Sequence, residues 1–257
     1  MTTFGLLIFD GAEELDFVGP WEVFTASAMI QAETGAAADM CVTVAERGNL
    51  VCCAKGLRVV ADHSFADHPP LDVLVVPGGV GARRGASNTL IGWVRKTAAD
   101  ASWVTSVCTG AFVLHEAGLA QGRRVATHHA YEDDLAARGE VTVVRDARYG
   151  VDGNLVTSQG VSAGIDMALW LAGHLHGRQH ARAVRRYIQY DPACRPTWPT
   201  NRSPERKPRR PFTDVHVNDN SDPPTTRPPG PRPLSAGGYT DEQPRCGRAA
   251  PRRRAAF

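Results

Sequence analysis

The stretch Trp103-Val104-Thr105-Ser106-Val107-Cys108-Thr109-Gly110-Ala111-Phe112-Val113-Leu114 decides the fold of this chain. Its first part predicts a short strand that ends at a cysteine, and a helical pattern begins directly afterwards. This is the layout of a nucleophile elbow, a sharp strand-to-helix turn that carries a reactive side chain. The position favours the thiolate of Cys108, because unpaired N–H groups and the helix dipole stabilise negative charge. A buried structural cysteine is the alternative interpretation.

Strands alternate with helical segments on both sides of this elbow. Residues 71–76 form a near-continuous apolar run, which is typical of a parallel strand covered on both faces. Residues 88–100 have a helical pattern, and residues 155–158 predict a strand that precedes a long helix. This alternation predicts an α/β fold, with a doubly wound, mainly parallel sheet and helices on both faces.

Ligands of such folds bind at the carboxyl ends of the strands. Four loops fall at predicted strand ends, namely residues 10–20, 77–81, 108–110 and 127–131. The first loop is rich in carboxylates and leads into a helix that is predicted to begin near Pro20. The second is glycine-rich, so its backbone N–H groups can approach a ligand closely, although a plain strand-to-helix turn is an alternative. We expect the four loops to meet in one site.

Residues 193–257 differ in composition from the rest of the chain. They hold 13 of the 18 prolines, and 13 basic residues against 6 acidic ones. Their net charge is therefore +7, and because the whole chain carries +2, residues 1–192 carry −5. This predicts a folded domain over residues 1–192 and a Pro/Arg-rich disordered tail over residues 193–257. We also consider the hypothesis that the tail is a GC-rich gene read in a shifted frame, which translation of the other two frames after codon 192 tests.

The remaining bulk features concern the compartment. The first residues lack the basic segment and small-residue cleavage site of a signal peptide, and no apolar run approaches the length of a membrane span. The six cysteines form no CxxC pair and no disulfide-scaffold pattern. These features lead us to expect a cytoplasmic protein without a membrane partner, and nucleic acid is an unlikely partner because a solvated tail explains its arginines.

Several separated motifs resemble the ThiJ/PfpI superfamily, within which the chain is most similar to the isonitrile hydratase group. The sensor domains of AraC-type regulators share much of the pattern. The resemblance covers about residues 3–192. It rests on Ser106-Val107-Cys108-Thr109-Gly110-Ala111, Leu15-Asp16-x-x-Gly19-Pro20, Pro77-Gly78-Gly79, Ala126-Thr127-His128 and Gly160-Val161-Ser162-Ala163-Gly164-Ile165-Asp166.

The resemblance implies a flavodoxin-like fold, a homodimer, a small-molecule substrate, no metal and no organic cofactor. It places the nucleophile at Cys108 and its carboxylate partner at Asp16. It also implies oxyanion-type donors in the backbone around Gly78, Gly79 and Thr109. At the position after the cysteine, this chain has Thr109, whereas many superfamily members have His or Ala. This difference argues against membership of the peptidase branch. At 129, where isonitrile hydratases usually have Trp, this chain has His, which changes the shape or polarity of the pocket.

The residues themselves leave structural alternatives open. Asp16 either exchanges protons with the thiol or caps the helix that follows Gly19. Thr109 either hydrogen-bonds substrate or water, or caps its own helix. His128 either orients a water near the thiol or has a structural role at a strand end. Glu14 is expected to face solvent, and Asp166 is expected to be a helix-terminus carboxylate.

The function that this pattern favours is that of a cysteine-dependent hydro-lyase. It would hydrate an isonitrile to an N-substituted formamide through a Cys108 thioimidate, with Asp16 as general acid and base. Two alternatives stay open. One is a small-molecule-sensing domain like that of AraC-type regulators, and the other is a glyoxalase- or deglycase-like activity on reactive carbonyls.

Overall fold

The computed structural model of the protein describes residues 1–47 and 50–190. The strands are β1 (Thr3–Leu7), β2 (Met40–Ala45), β3 (Leu50–Cys52), β4 (Arg58–Val60), β5 (His63–Ser64), β6 (Val73–Val76), β7 (Trp103–Val107), β8 (Arg123–Val125), β9 (Val141–Val143), β10 (Tyr149–Asp152) and β11 (Leu155–Ser158). The helices are α1 (Glu14–Glu33), α2 (Val80–Arg83), α3 (Asn88–Asp100), α4 (Gly110–Glu116), α5 (Glu132–Ala137), α6 (Ala163–His176) and α7 (Arg178–Tyr187). The tail predicted over residues 193–257 lies outside the described residues, so its disorder and the domain boundary at 192 stay predictions.

A seven-stranded sheet organises the described part of the chain, in the order β10-β11-β7-β6-β1-β2-β5. All neighbouring strands are parallel except the edge strand β10, which forms an antiparallel hairpin with β11. The parallel strands β1, β6 and β7 are almost entirely buried, as expected where helices cover both faces. The predicted doubly wound, flavodoxin-like α/β fold is therefore confirmed.

Alternation of side chains along β1 explains the two core layers. Phe4 and Leu6 of β1 point to the face that packs against α1, α6 and α7, whereas Leu7 points to the face that packs against α3 and α4. Two pairs of short strands lie outside the main sheet, β3 with β4 and β8 with β9. The segment that contains β3 is hydrogen-bonded to the loop after β1, through Cys52 with Asp10 and Gly11. The carboxyl ends of β1, β6 and β7 thus lie side by side in the middle of the sheet.

The first helix differs from the expectation. It was predicted to begin near Pro20, but α1 begins at Glu14 and carries Pro20 in its interior. The predicted loop over residues 10–20 is therefore a short loop followed by the first two turns of α1. Phe17 is buried in the core, so packing of this first segment outweighs the helix-disfavouring effect of the proline. As a result, Asp16 lies on a helix and not on a loop.

Candidate active site

The nucleophile elbow predicted at Cys108 is present. Cys108 joins β7 to α4 with a φ of 56°, a left-handed conformation that is uncommon for a residue with a side chain. Its N–H donates to the Ser158 carbonyl (3.1 Å), and its carbonyl accepts from the Thr127 hydroxyl (2.9 Å). A Cβ at Gly110 would stand 2.2 Å from the Val76 carbonyl oxygen, so only glycine permits this turn to lie against the end of β6.

Asp16 projects from the first turn of α1 towards the loop after β6. Its Oδ2 accepts from the Gly78 N–H at 2.9 Å, and the residue has no exposed surface. Its Oδ1 is buried without a hydrogen-bond partner among the described residues. The Cys108 thiol lies close enough to the carboxyl to lower its pKa. The alternative in which Asp16 caps a helix after Gly19 is wrong, because α1 begins before Asp16.

Burial controls the ionisation of this pair. It raises the pKa of Asp16 to about 7, against opposing effects of the Gly78 N–H and the Cys108 thiol. Burial and the Asp16 charge also raise the pKa of Cys108, although the N–H and hydroxyl of Thr109 favour its thiolate. The expectation that the helix terminus favours the Cys108 thiolate, with the proton held by the Asp16 carboxyl, therefore stays a prediction. Because the Asp16 charge disfavours the Cys108 thiolate, we do not expect both groups to be ionised together near pH 7.

Thr109 anchors the glycine loop to the elbow. Its hydroxyl accepts from the Gly79 N–H (2.9 Å) and lies 3.3 Å from the Gly79 carbonyl, to which it donates. It makes no side-chain cap to α4, so the capping alternative is wrong. Since Asp16 and Thr109 accept from the N–H groups of Gly78 and Gly79, neither N–H is available as the predicted oxyanion donor in this structure. The Thr109 N–H, which faces the sulfur, is the remaining candidate donor.

Gly78 is nevertheless required for the site to close. A Cβ there would stand 2.4 Å from the Thr109 nitrogen and 2.6 Å from the Thr109 hydroxyl oxygen. Gly79 has a φ of 114°, and a Cβ there would lie 2.3 Å from the Gly11 carbonyl oxygen. The glycine loop therefore serves close approach between β1, β6 and the elbow, and not substrate binding through free N–H groups.

His128 lies close to the Cys108 thiol, next to Gly160. Its Nδ1 accepts from the Ala130 N–H (3.2 Å), which places the proton of the neutral ring on Nε2. Burial lowers the pKa of His128, and the neighbouring His129 and Arg83 lower it further. A Cβ at Gly160 would stand 2.6 Å from His128 Cδ2 and 2.8 Å from Cys108 Sγ. Thus the ring and the sulfur face each other across Gly160.

His129 stacks on His128, with ring centroids 4.4 Å apart. The ring centroid of Tyr131 lies 5.6 Å from that of His128. The Arg83 guanidinium lies over the Tyr131 ring at 4.5 Å. The residue after His128, which the sequence left without a role, is therefore part of an aromatic and cationic cluster beside the thiol. This cluster makes the surroundings of His128 more polar than a tryptophan would.

Sequence reasoning gave no role at this site to Gly160, Glu13 or Lys55, and it misplaced Glu14. Gly160 belongs to a quoted motif, but only the fold shows that it faces the sulfur. Glu13 precedes α1, forms an ion pair with Lys55, and raises the pKa values of both Asp16 and Cys108 through its charge. Glu14 was expected to face solvent, but its Oε1 accepts from the Lys55 N–H (2.6 Å) and its Oε2 is buried. Lys55 lies between β3 and β4, so no local pattern linked it to the elbow.

The expectation that the four loops meet is confirmed. A backbone bridge pairs Ala12 with Gly79, Thr109 binds the Gly79 loop, and Thr127 binds the elbow carbonyl. Within residues 1–47 and 50–190, no three His, Cys, Asp or Glu side chains cluster in a way that could hold a metal ion. The helices described here are all too short or too polar to cross a membrane.

A sequence model of the DJ-1/PfpI family matches residues 4–173 of this chain. The chain belongs to the DJ-1/PfpI family. An isonitrile hydratase from Pseudomonas putida is 40% identical over 191 residues, which are 74% of this chain and 78% of the relative. This similarity supports an enzymatic function at the family level. A THiJ/PfpI family protein from Pseudomonas syringae has a similar solved structure, with a TM-score of 0.65, 29% identity, and coverage of 75% and 76% of the two chains.

Regulators are also among the relatives of this DJ-1/PfpI protein. The HTH-type transcriptional regulator GbdR of Pseudomonas aeruginosa is 31% identical over 152 residues, which are 58% of this chain and 41% of the regulator. The chain thus spans less than half of that relative. Because transcriptional regulators are among the relatives, the expectation that nucleic acid is not a partner has no support from these comparisons.

Proposed function

We propose that this DJ-1/PfpI protein hydrates isonitriles to N-substituted formamides at Cys108. The observation that carries the proposal is the buried Asp16 carboxyl, whose pKa is raised to about 7 next to an elbow thiol. A group with this pKa both accepts and returns a proton near neutral pH, which this addition requires. The 40% identity to the Pseudomonas putida isonitrile hydratase supports the choice of substrate class.

In the first step, the Asp16 carboxylate accepts the thiol proton while Cys108 Sγ attacks the terminal carbon of the isonitrile. Asp16 then delivers this proton to the same carbon, which gives a thioimidate, R–N=CH–S–Cys108. Transfer of the proton within the site means that no free thiolate has to persist beside the carboxylate, so the raised pKa of Cys108 is compatible with its role as nucleophile.

In the second step, water adds to the thioimidate carbon, and its proton goes to nitrogen. The C–S bond of the resulting R–NH–CH(OH)–S–Cys108 adduct then breaks, the sulfur recovers a proton, and R–NH–CHO leaves. Neutral His128, with its proton on Nε2, is placed to position this water. The Thr109 N–H is placed to stabilise negative charge on sulfur as the C–S bond breaks.

The test is turnover of cyclohexyl isonitrile by the purified protein, followed as formation of N-cyclohexylformamide. We expect turnover in the wild type, none in Cys108→Ala, and wild-type turnover in the matched control Cys41→Ala. Asp16→Asn should lower kcat by at least about 100-fold, as for loss of a general acid–base group. Equal turnover by Cys108→Ala and wild type would reject the mechanism.

The similarity to GbdR favours a second candidate, a small-molecule-sensing domain that binds a ligand at the same site without turnover. In that case the folded protein would bind cyclohexyl isonitrile, or another small electrophile, and release it unchanged. A folded wild type without formamide formation, but with saturable binding lost in Cys108→Ala, would replace the first proposal by this one. Turnover of methylglyoxal instead would favour the carbonyl-detoxifying alternative.

A further inference from the structure

A cavity of about 660 Å³ lies apart from Cys108, between α6, α7 and the start of β10. Volumes of this size are typical of small-molecule sites. Gly173 and Ala181 line it and pack closely, since a Cβ at Gly173 would lie 3.1 Å from the Ala181 Cβ. No residue of the elbow, the glycine loop or the His128 cluster lines this cavity, which we call the α6–α7 groove.

The α6–α7 groove is strongly basic. Four arginines line it, and Asp166 is the one carboxylate among the lining residues. Asp166 is already neutralised, because its Oδ2 accepts from Arg148 Nε at 2.5 Å and its Oδ1 accepts from the Tyr190 hydroxyl at 3.2 Å. Arg178 and Arg182 are therefore not balanced by any carboxylate that lines the groove.

Arg178, Arg182 and Arg185 are spaced four and three residues apart, so they lie on one face of α7. Arg178 and Arg182 form no ion pair or hydrogen bond through their side chains with residues 1–47 or 50–190. Adjacent guanidinium groups match the geometry of a carboxylate, sulfonate or phosphate, which they bind through paired N–H donors.

The opposite wall is aromatic. Trp170 stacks on His174 with ring centroids 5.2 Å apart and planes 19° apart, and Tyr149 lies 6.1 Å from Trp170. Trp170 is half-buried, so part of its surface remains open to the groove. A flat ring can pack against such a wall, while an anionic group on that ring reaches the arginines of α7.

From this arrangement we infer that the α6–α7 groove binds a small aromatic anion. The aromatic part of the ligand packs on the wall of Trp170 and His174, and its carboxylate, sulfonate or phosphate binds Arg178 and Arg182. The groove is partly open, and its volume of about 660 Å³ fits a one- or two-ring molecule. This site is separate from the cysteine site and does not depend on the function proposed for it.

The test uses 2-naphthoate as the probe, with the full chain and tryptophan fluorescence as the readout. We expect saturable quenching by 2-naphthoate and at least tenfold weaker binding of the uncharged 2-naphthamide. The double variant Arg178→Gln/Arg182→Gln should bind 2-naphthoate at least tenfold more weakly than wild type. The control Arg47→Gln, which removes an exposed arginine elsewhere, should bind as wild type does.

Cys108→Ser separates this site from the catalytic one and should leave 2-naphthoate binding unchanged. Equal affinity for the acid and the amide would overturn the inference, because charge would then have no role. Unchanged affinity in the arginine double variant would overturn it as well. Loss of binding in Cys108→Ser would place the probe at the elbow and would equally reject a groove site.

Discussion

At the residue scale, the raised pKa of Asp16 sets the pH dependence of the proposed reaction. The carboxylate must be ionised to accept the thiol proton, and its pKa is about 7. We therefore expect kcat/KM for cyclohexyl isonitrile to rise about tenfold per pH unit below 7 and to level off above it. Measurement of kcat/KM between pH 5 and 9 checks this profile.

The control for this profile is Asp16→Glu, which keeps a carboxyl group. Its kcat/KM should be lower than that of wild type but should still rise with pH. Asp16→Asn has no carboxyl to titrate, so any residual rate should lack the limb near pH 7. A flat wild-type profile from pH 5.5 to 8 would contradict the role of Asp16 as the proton acceptor.

Gly160 offers a second prediction at this scale. A methyl group there would overlap both His128 Cδ2 and Cys108 Sγ, which lie 2.6 and 2.8 Å from its position. Gly160→Ala should therefore lower kcat/KM at least tenfold, because the ring and the sulfur must move apart. Gly92→Ala is the matched control, since a Cβ at this exposed position of α3 meets no atom within 4 Å. It should leave activity unchanged and stabilise the fold by about 0.5–1 kcal/mol.

At the element scale, Thr109 joins the start of α4 to the loop after β6. Thr109→Val keeps the shape of the side chain but leaves the Gly79 N–H without its acceptor, which costs about 1–3 kcal/mol when the group stays buried. We expect Thr109→Val to lower the free energy of unfolding by about 1 kcal/mol, since Gly79 is only half-buried. Thr109→Ser retains the hydroxyl and should lose less. Urea unfolding of the three proteins measures the difference, and equal losses would contradict this anchoring role.

The elements that were predictable from sequence are those whose own pattern determines them. The apolar run at residues 71–76 contains β6, and the helical pattern at residues 88–100 is α3. The start of α1 was missed because Gly19-Pro20 is a common turn signal. Here Gly19 instead permits close packing, as a Cβ would lie 3.0 Å from Ile165 Cγ1 of α6. Tertiary packing of α1 on α6 therefore outweighs the local signal.

The same distinction applies to the candidate site. An elbow cysteine and glycine-rich strand ends can be recognised locally, so the meeting of the four loops was predictable from the strand order. The acceptors of the Gly78 and Gly79 N–H groups come from side chains 62 and 30 residues away. Burial of Asp16 depends on the whole fold as well. The protonation of the site and the use of the glycine N–H groups thus required the structure.

At the scale of the whole molecule, the buried Asp16 carboxyl links stability to pH. Its folded pKa is about 7, above the ordinary 3.8, so the folded state binds this proton more tightly than the unfolded state does. The stabilising effect is complete below about pH 4 and is lost as the pH rises through 7. The loss amounts to at most about 4 kcal/mol at 1.36 kcal/mol per pKa unit.

We therefore expect Asp16→Asn to be more stable than wild type at pH 8, with a difference that shrinks towards pH 4.5. Urea unfolding at several pH values measures it, and the exposed variant Asp100→Asn serves as the control. A gap between Asp16→Asn and wild type that does not change with pH would show that ionisation of Asp16 does not affect stability.

The homodimer that the family resemblance implies stays a prediction. Leu15 and Val18 leave 39% and 40% of their surface exposed and lie three residues apart on the first turns of α1, so they form an apolar patch close to the site. If this patch is the interface, sedimentation should give twice 27.7 kDa for wild type and a monomer for Val18→Glu. Met29→Glu, at the other end of α1, should remain dimeric. A dimeric Val18→Glu would exclude the patch as the interface.

The burial of the sulfur has a consequence for which molecules can react with it. Cys108 is only 6% exposed, and a Cβ at Gly160 would stand 2.8 Å from its Sγ. Because so little of this residue is exposed, we expect access to depend on cross-section, and the slender, linear N≡C head of an isonitrile can approach with its terminal carbon first. A planar carbonyl with two substituents has to tilt or widen the walls. The protein would thus remain indifferent to many electrophiles that are intrinsically more reactive, and its selectivity would come from width and not from reactivity.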